Sequence, residues 1–142
     1  MCGIVAVTGY KKALPLLMNG LEKLEYRGYD SAGIAIVNSE TKIITCNKAE
    51  GKLKNLINNL NDKNMPGTVG IGHTRWATHG KPEIKNAHPH TNSSGNIAVV
   101  QNGIIENFQD LKNKLQKEGV IFNSDTDTEV IPHLIQRELN TL

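Results

Sequence analysis

Cysteine is scarce in this sequence, and long apolar runs are missing. Only Cys2 and Cys46 occur among 142 residues, and the N-terminus has no basic region of the kind that opens a signal peptide. We therefore expect a cytoplasmic protein whose two thiols stay reduced rather than forming a disulfide. No segment approaches the roughly 20 consecutive apolar residues of a transmembrane helix, so we expect no membrane partner.

Aromatic residues and net charge are low as well. The chain has two Phe, one Trp and three Tyr, and its 16 Lys and Arg against 14 Asp and Glu leave a formal net charge of +2. A nucleic-acid platform needs positive charge and rings on which bases can stack, so we expect no nucleic-acid partner. With 38% hydrophobic and 21% charged residues, the composition is that of a single globular domain.

Hydrophobic periodicity predicts strands and helices that share one α/β or α+β unit. We expect strands over segments 3–8, 34–38, 42–47, 69–73 and 97–100. We expect helices over segments 14–24, 53–60 and 108–115, with loops at 25–33 and 74–95. Gly119 is a predicted C-terminal cap. The spacing of Thr126 and Glu129 predicts a capping box before a last helix, although Pro132 conflicts with a regular helix from Asp127.

Cys2 is the first candidate for chemistry. The initiator methionine is usually removed before a small side chain, which would leave Cys2 with a free α-amine beside its thiol. That amine titrates at about pH 8, so part of it is unprotonated near neutrality and can act as a base for its own nucleophile. The alternative is a small hydrophobic residue that opens a strand, and Cys2 alone does not decide between the two.

Histidines and carboxylates form two clusters that resemble metal ligands. The histidines are His73, His79, His88 and His90. Zinc sites usually add Cys or a carboxylate at short spacing, and this segment offers only Glu83, so hydrogen bonding and loop packing are favoured and no metal is expected. The alternating acids Asp125, Asp127 and Glu129 lack the Gly and the distant bidentate Glu of a calcium loop, and a helix cap explains them better.

Two polar groups follow predicted strands. Arg75 has the fork geometry that binds a small carboxylate, and the neighbouring Trp76 could cover such a ligand. A surface ion pair and a packing indole explain these two residues equally well. Asn102 and Gly103 could offer a side-chain amide and a backbone N–H to a developing oxyanion, although Asn-Gly is also an ordinary turn.

Five strings in a fixed order carry a family resemblance. They are Cys-Gly-Ile-Val at 2–5, Tyr-Arg-Gly-Tyr-Asp-Ser-Ala-Gly at 26–33, His-Thr-Arg-Trp-Ala-Thr-His-Gly at 73–80, Asn-Gly-Ile-Ile-Glu-Asn at 102–107 and Thr-Asp-Thr-Glu at 126–129. The set resembles the glutaminase domain of the glutamine–fructose-6-phosphate aminotransferases, which are class II glutamine amidotransferases and N-terminal nucleophile hydrolases. Other class II families share the Cys start and the Asn-Gly turn but, as a rule, lack the second and third strings.

The resemblance implies a catalytic set. Cys2, freed of Met1, would attack the side-chain amide of glutamine with its own α-amine as general base. The Asn102 side chain and the Gly103 N–H would form the oxyanion hole. Gln101 stands where some members carry His, which we expect to tune the site. No cofactor is implied.

The resemblance also implies a substrate-binding set. Arg75 would clamp the α-carboxylate of glutamine and Asp127 its α-ammonium group. The other predicted residues are Thr78 and His79, which line the pocket, Trp76, which gates ammonia, and Arg27, in a loop that closes over glutamine.

The implied fold is α+β, a four-layer α-β-β-α sandwich with antiparallel sheets. Residues 2–142 would be the N-terminal part of the glutaminase domain, with an incomplete sandwich and without the sugar isomerase domain. L-Glutamine is the expected partner, fructose 6-phosphate would bind only through the missing domain, and the full-length protein is expected to be a homodimer. The alternatives are a glutamine-binding scaffold without turnover and a metal-binding module built on the histidines.

Overall fold

The computed structural model, which describes residues 1–60, 64–77 and 80–142, contains both strands and helices. The strands are β1 (Gly3–Val7), β2 (Ser31–Val37), β3 (Ile44–Glu50), β4 (Val69–Arg75), β5 (His90–Thr91) and β6 (Ala98–Val99). The α-helices are α1 (Ala13–Leu24), α2 (Leu53–Leu60), α3 (Phe108–Lys117) and α4 (Val130–Leu139). None of the helices in these residues is long and apolar enough to cross a bilayer.

Four strands form an antiparallel sheet in the order β1–β4–β2–β3. Side chains alternate between its two faces, so Ala32, Ile34 and Ile36 of β2 share one face. The apolar sides of α1 and α2 cover that face. Leu17 and Leu21 of α1 and Leu56 of α2 are among the residues that complete the main core. The apolar spacing that predicts both helices therefore describes the surface that they bury.

The opposite face of the sheet carries a thinner second layer. Strands β5 and β6 pair antiparallel over two residues each, and α4 packs against both. The two layers are in close contact at Gly33, where a Cβ atom would overlap the carbonyl oxygen of His88, so only glycine fits there. Helices therefore lie outside two antiparallel sheets, which confirms the α+β sandwich with a small second sheet.

Three sequence predictions are wrong in detail. The loop predicted over 25–33 contains the short helix Glu25–Arg27 and the first three residues of β2, because Ser31 and Gly33 are buried in the sheet despite their low strand preference. The strand predicted over 42–47 is shifted to Ile44–Glu50, since the hairpin turn is longer than expected. The strand predicted over 97–100 is confined to Ala98–Val99.

The predicted capping box at the last helix is also wrong. Helix α4 starts at Val130, so Pro132 lies in its first turn, where a missing N–H is tolerated. The Glu129 carboxylate accepts hydrogen bonds from the backbone N–H groups of Asn123 and Ser124 instead of reaching back to Thr126. Asp127 and Glu129 are therefore buried in a turn that precedes the helix, whereas Asp125 is exposed.

Leu56 and Ile57 are a matched pair for testing the core. Leu56 is fully buried under the sheet, whereas Ile57 on the same helix is 43% exposed. We expect Leu56→Ala to lower the free energy of unfolding by about 2–5 kcal/mol and Ile57→Ala by less than about 1 kcal/mol. Urea denaturation of both variants measures this, and equal losses would contradict the assigned face of α2.

Candidate functional site

Strand pairing sets the position of the Cys2 thiol. Cys2 precedes β1, and β1 runs antiparallel to β4 with Gly3 opposite Thr74 and Ile4 opposite His73. The thiol consequently reaches the residue that follows β4: Sγ accepts the Trp76 N–H at 3.2 Å and lies 3.4 Å from the Trp76 carbonyl oxygen. The sulfur is thus held where β1 begins and β4 ends.

The Asn102–Gly103 turn lies on the other side of Cys2. Asn102 Nδ2 donates to the carbonyl oxygen of Cys2 at 3.1 Å, and Asn102 Oδ1 lies 2.9 Å from Nε2 of His73. Gly103 has φ +145°, and a Cβ atom there would lie 2.8 Å from Nε2 of the Gln101 side chain. A side chain at position 103 is therefore disfavoured by the backbone conformation, whereas the end of the Gln101 side chain could move aside.

One cavity of about 530 Å³ joins these groups. Among the predicted site residues its lining includes Cys2, Arg27, Arg75, Trp76, Asn102, Gly103 and Asp127. The predicted residues Thr78 and His79 lie outside the residues that the structure describes. The lining also contains Met1 and Gln101.

Two buried groups of opposite charge flank the cavity. Arg75 is 3% exposed and donates to the carbonyl oxygens of Lys81 at 2.9 Å and Gly80 at 3.3 Å. Burial lowers the pKa of Arg75, and the nearby Cys2 and the carboxylates of Asp30 and Asp127 act in the opposite direction. Asp127 is also 3% exposed, and its Oδ2 accepts the Ile105 N–H at 2.7 Å. Both charges are held by backbone groups, which keeps them in place before a ligand arrives.

The string at 26–33 anchors the chain after β4. Asp30 Oδ2 accepts the Ala77 N–H at 2.7 Å, and its own N–H donates to the carbonyl oxygen of Arg75 at 3.0 Å. Arg27 Nε donates to the Cys2 carbonyl oxygen at 3.1 Å. Gly28 packs on the same backbone, because a Cβ there would lie 2.7 Å from the carbonyl carbon of Arg75. Sequence reasoning missed Asp30, although its place in the string was a usable signal.

Three of the clustered histidines form a buried stack behind the Asn102 turn. The rings of His73 and His88 lie face to face at 4.1 Å and 12°, and His90 meets His88 edge-on at 4.7 Å. Gln101 N donates to His88 Nδ1 at 3.4 Å, and Thr126 Oγ1 lies 2.8 Å from His90 Nε2.

Burial keeps these imidazoles neutral. It lowers the pKa of His73 to about 4 and that of His90 to about 3, and it lowers the pKa of His88 as well. Within the described ranges, no three His, Cys, Asp or Glu side chains converge as ligands for a metal ion. The hydrogen bonds and ring contacts are those of packed, neutral histidines.

Comparison with known proteins places this geometry in a family. Residues 58–139 match the model of the glutamine amidotransferase domain. The chain belongs to the glutamine amidotransferase domain family. The α+β fold and the family predicted from the sequence are thereby confirmed, whereas the roles of the individual site residues stay predictions.

Relatives of this amidotransferase domain are longer proteins. The chain is 58% identical over 135 residues to the glutamine–fructose-6-phosphate aminotransferase (isomerizing) of Clostridium tetani, covering 95% of this chain and 22% of the relative. It is 60% identical over 136 residues to the enzyme of the same name from Gloeobacter violaceus, with the same coverage. The chain therefore spans about a fifth of the length of these curated relatives.

Solved structures share the fold at lower identity. The glutamine phosphoribosylpyrophosphate amidotransferase of B. subtilis, complexed with ADP and GMP, is 31% identical with a TM-score of 0.80, covering 96% of this chain and 29% of that one. A structure described as the allosteric regulatory enzyme of purine biosynthesis is 32% identical with a TM-score of 0.81, covering 96% and 30%.

The buried histidines make the stability of this amidotransferase domain dependent on pH. The unfolded chain takes up protons on these rings below their ordinary pKa of 6.5, whereas folded His73 and His90 stay neutral down to about pH 4 and 3. We expect the free energy of unfolding to be level above pH 7 and to fall below pH 6.5, by up to about 1.4 kcal/mol per pH unit for each buried ring.

Urea denaturation between pH 7.5 and 5 measures this dependence, and His90→Gln, which keeps a partner for Thr126 but removes one titrating ring, should make the slope shallower. Glu129 contributes only in a lower range. Burial alone would raise its pKa, but hydrogen bonds from His133, Ser124 and Asn123 hold it below its ordinary value of 4.5. Stability that stays flat down to pH 5 would contradict the neutral stack.

Proposed function

We propose that residues 2–142 are the N-terminal part of a glutaminase domain that hydrolyses L-glutamine to glutamate and ammonia through a thioester on Cys2. One observation supports this most directly: the Cys2 thiol, the Asn102 amide and the charges of Arg75 and Asp127 line a single cavity of about 530 Å³. A cavity of this volume is within the range of small-molecule sites.

Cys2 and the Asn102 turn carry the proposed chemistry. Cys2 Sγ attacks the side-chain carbonyl carbon of glutamine, while the α-amine that Met1 removal exposes accepts the thiol proton. Asn102 Nδ2–H and Gly103 N–H stabilise the negative oxygen of the tetrahedral intermediate. The proton then passes to the leaving nitrogen, ammonia departs, and water hydrolyses the remaining thioester to glutamate and the free thiol.

The two charged residues beside the cavity, Arg75 and Asp127, provide the proposed specificity for an amino acid. The guanidinium of Arg75 pairs with the α-carboxylate of glutamine, and the unoccupied lone pairs of the Asp127 carboxylate accept its α-ammonium group. Thr78 and His79 remain predicted pocket residues. Trp76, which is 45% exposed and contacts Tyr29 edge-on at 5.6 Å, is proposed to gate ammonia, and Arg27 to close over the substrate.

The acceptor of ammonia is proposed from the relatives. Their name states glutamine and fructose 6-phosphate, and the match covers about a fifth of their length. We propose that the remaining length holds the sugar isomerase domain, and that ammonia converts fructose 6-phosphate to glucosamine 6-phosphate there. A cytoplasmic homodimer remains the prediction for the full-length protein.

Replacement of each cysteine in turn tests whether Cys2 is the nucleophile. We expect Cys2→Ala to abolish ammonia release from glutamine in the intact protein, because no other thiol lines the cavity among the described residues. Cys46→Ala is the matched control, since Cys46 lies in β3 and burial raises the pKa of its thiol, so its rate should match the wild type. Equal rates for Cys2→Ala and the wild type would remove Cys2 from the mechanism. Glutamine binding in calorimetry without any ammonia release would favour the scaffold alternative.

A blocked N-terminus tests the base. A lysine inserted between Met1 and Cys2 prevents methionine removal, converts the α-amine of Cys2 into an amide and takes away its basicity. We expect the loss of ammonia release to equal that of Cys2→Ala, with mass spectrometry confirming the retained extension. As a control, an extension that a protease removes directly before Cys2 should restore the rate after cleavage. Normal turnover with the extension in place would refute the proposed base.

A further inference from the structure

The orientation of the Asn102 side-chain amide determines whether its NH2 group or its oxygen faces Cys2. The NH2 end of an Asn amide only donates hydrogen bonds, and the oxygen end only accepts them. Asn102 contacts two partners, the Cys2 carbonyl oxygen at 3.1 Å and His73 Nε2 at 2.9 Å. A backbone carbonyl oxygen is always an acceptor, so the NH2 end faces Cys2 and the oxygen faces His73.

The same hydrogen bond determines the tautomer of His73. A neutral imidazole carries its proton on one of two nitrogens. Because Asn102 Oδ1 accepts, Nε2 of His73 must carry the hydrogen and donate it. The other tautomer would present a lone pair at Nε2, attract the NH2 end of Asn102 and turn the amide oxygen toward Cys2.

We infer that His73 is a positioning residue: its Nε2–H holds the Asn102 amide with the NH2 group directed at the oxyanion that forms beside Cys2. This inference rests on the proposed function, because the oxyanion belongs to glutamine hydrolysis. His73 acts only through Asn102, since it is fully buried and is not among the residues that line the cavity.

The surroundings keep the His73 ring from turning. His73 belongs to β4, the strand that lies between β1 and β2, and its ring stacks on His88 at 4.1 Å with an interplanar angle of 12°. His88 in turn accepts the Gln101 N–H, so the ring stack contacts the turn both at Gln101 and at the Asn102 amide. The cationic Arg75 nearby further disfavours a charged imidazole. A donor fixed in this way needs no rearrangement as negative charge develops.

Two substitutions separate the hydrogen bond from the ring stack. His73→Gln places an amide N–H near the former Nε2 and loses the ring, whereas His73→Phe keeps a stacked ring and loses the donor. We expect His73→Phe to lower kcat for glutamine hydrolysis by a factor of about 10² with KM changed less than about threefold, because only the intermediate carries the charge. His73→Gln should retain a kcat at least about tenfold above that of the Phe variant.

Three further measurements control for structure. His133→Gln is the matched control: His133 is also buried, meets Phe122 edge-on at 4.8 Å and bonds to Glu129, and its replacement should leave kcat unchanged. Alkylation of Cys2 by iodoacetamide passes through no oxyanion, so its rate should be the same in all variants with native melting temperatures. The double variant His73→Phe with Asn102→Ala should be no slower than Asn102→Ala alone, because both changes remove one interaction.

Several outcomes would overturn the inference. They are wild-type kcat for His73→Phe, a natively folded His73→Gln as slow as the Phe variant, and additive losses in the double variant. The ring ¹⁵N shifts of His73 in the wild-type protein give a readout that needs no activity or variant: hydrogen on Nε2 supports the inference, and hydrogen on Nδ1 alone overturns it. If the wild type releases no ammonia, the proposed function fails, while the tautomer still tests the orientation of Asn102.

Discussion

The site depends on the pairing of β1 with β4. This pairing brings the first residues of the chain next to a segment more than 70 positions later, so that Cys2 Sγ meets the backbone of Trp76. The alternation of side chains then directs His73 and Arg75 to the face that carries the second layer. A shift of one residue in register would turn both side chains into the apolar core, where a guanidinium has no partner. The hydrophobic face under α1 and α2 therefore stabilises the register that the site requires.

The three histidines between the layers are tolerated because they are neutral and each ring has a hydrogen-bond partner. His73, His88 and His90 are buried between the layers, and burial holds all three neutral. Their ring nitrogens contact the Asn102 amide, the Gln101 N–H and the Thr126 hydroxyl. Gly33 permits this arrangement, since any larger residue would push the segment around His88 away from the sheet. The second layer can therefore be short and still hold the Asn102 turn firmly.

The sequence predicts the first layer better than the second. Helices α1 and α2 follow from apolar spacing, because one side of each is buried in the main core. The first residues of strand β2 are small, and their burial depends on partners far along the chain. Their local residue preferences therefore predict a loop there. The site residues near strand ends, such as Arg75 and Asn102, are recognisable from motif strings. The hydrogen bonds of Asp30 and the ring stack depend on tertiary distances that no periodicity encodes.

Gln101 and Thr128 connect the two ends of the cavity. Thr128 Oγ1 donates to Gln101 Oε1 at 2.8 Å, and Nε2 of the same side-chain amide packs against Gly103. Thr128 follows Asp127, whose carboxylate also accepts the Ile105 N–H on the far side of the same turn. The groups proposed to bind the α-ammonium and the oxyanion are therefore parts of one hydrogen-bonded unit. Since substrate binding and charge stabilisation share this unit, displacement of the Asp127 segment would also displace Gly103, and binding and turnover would change together.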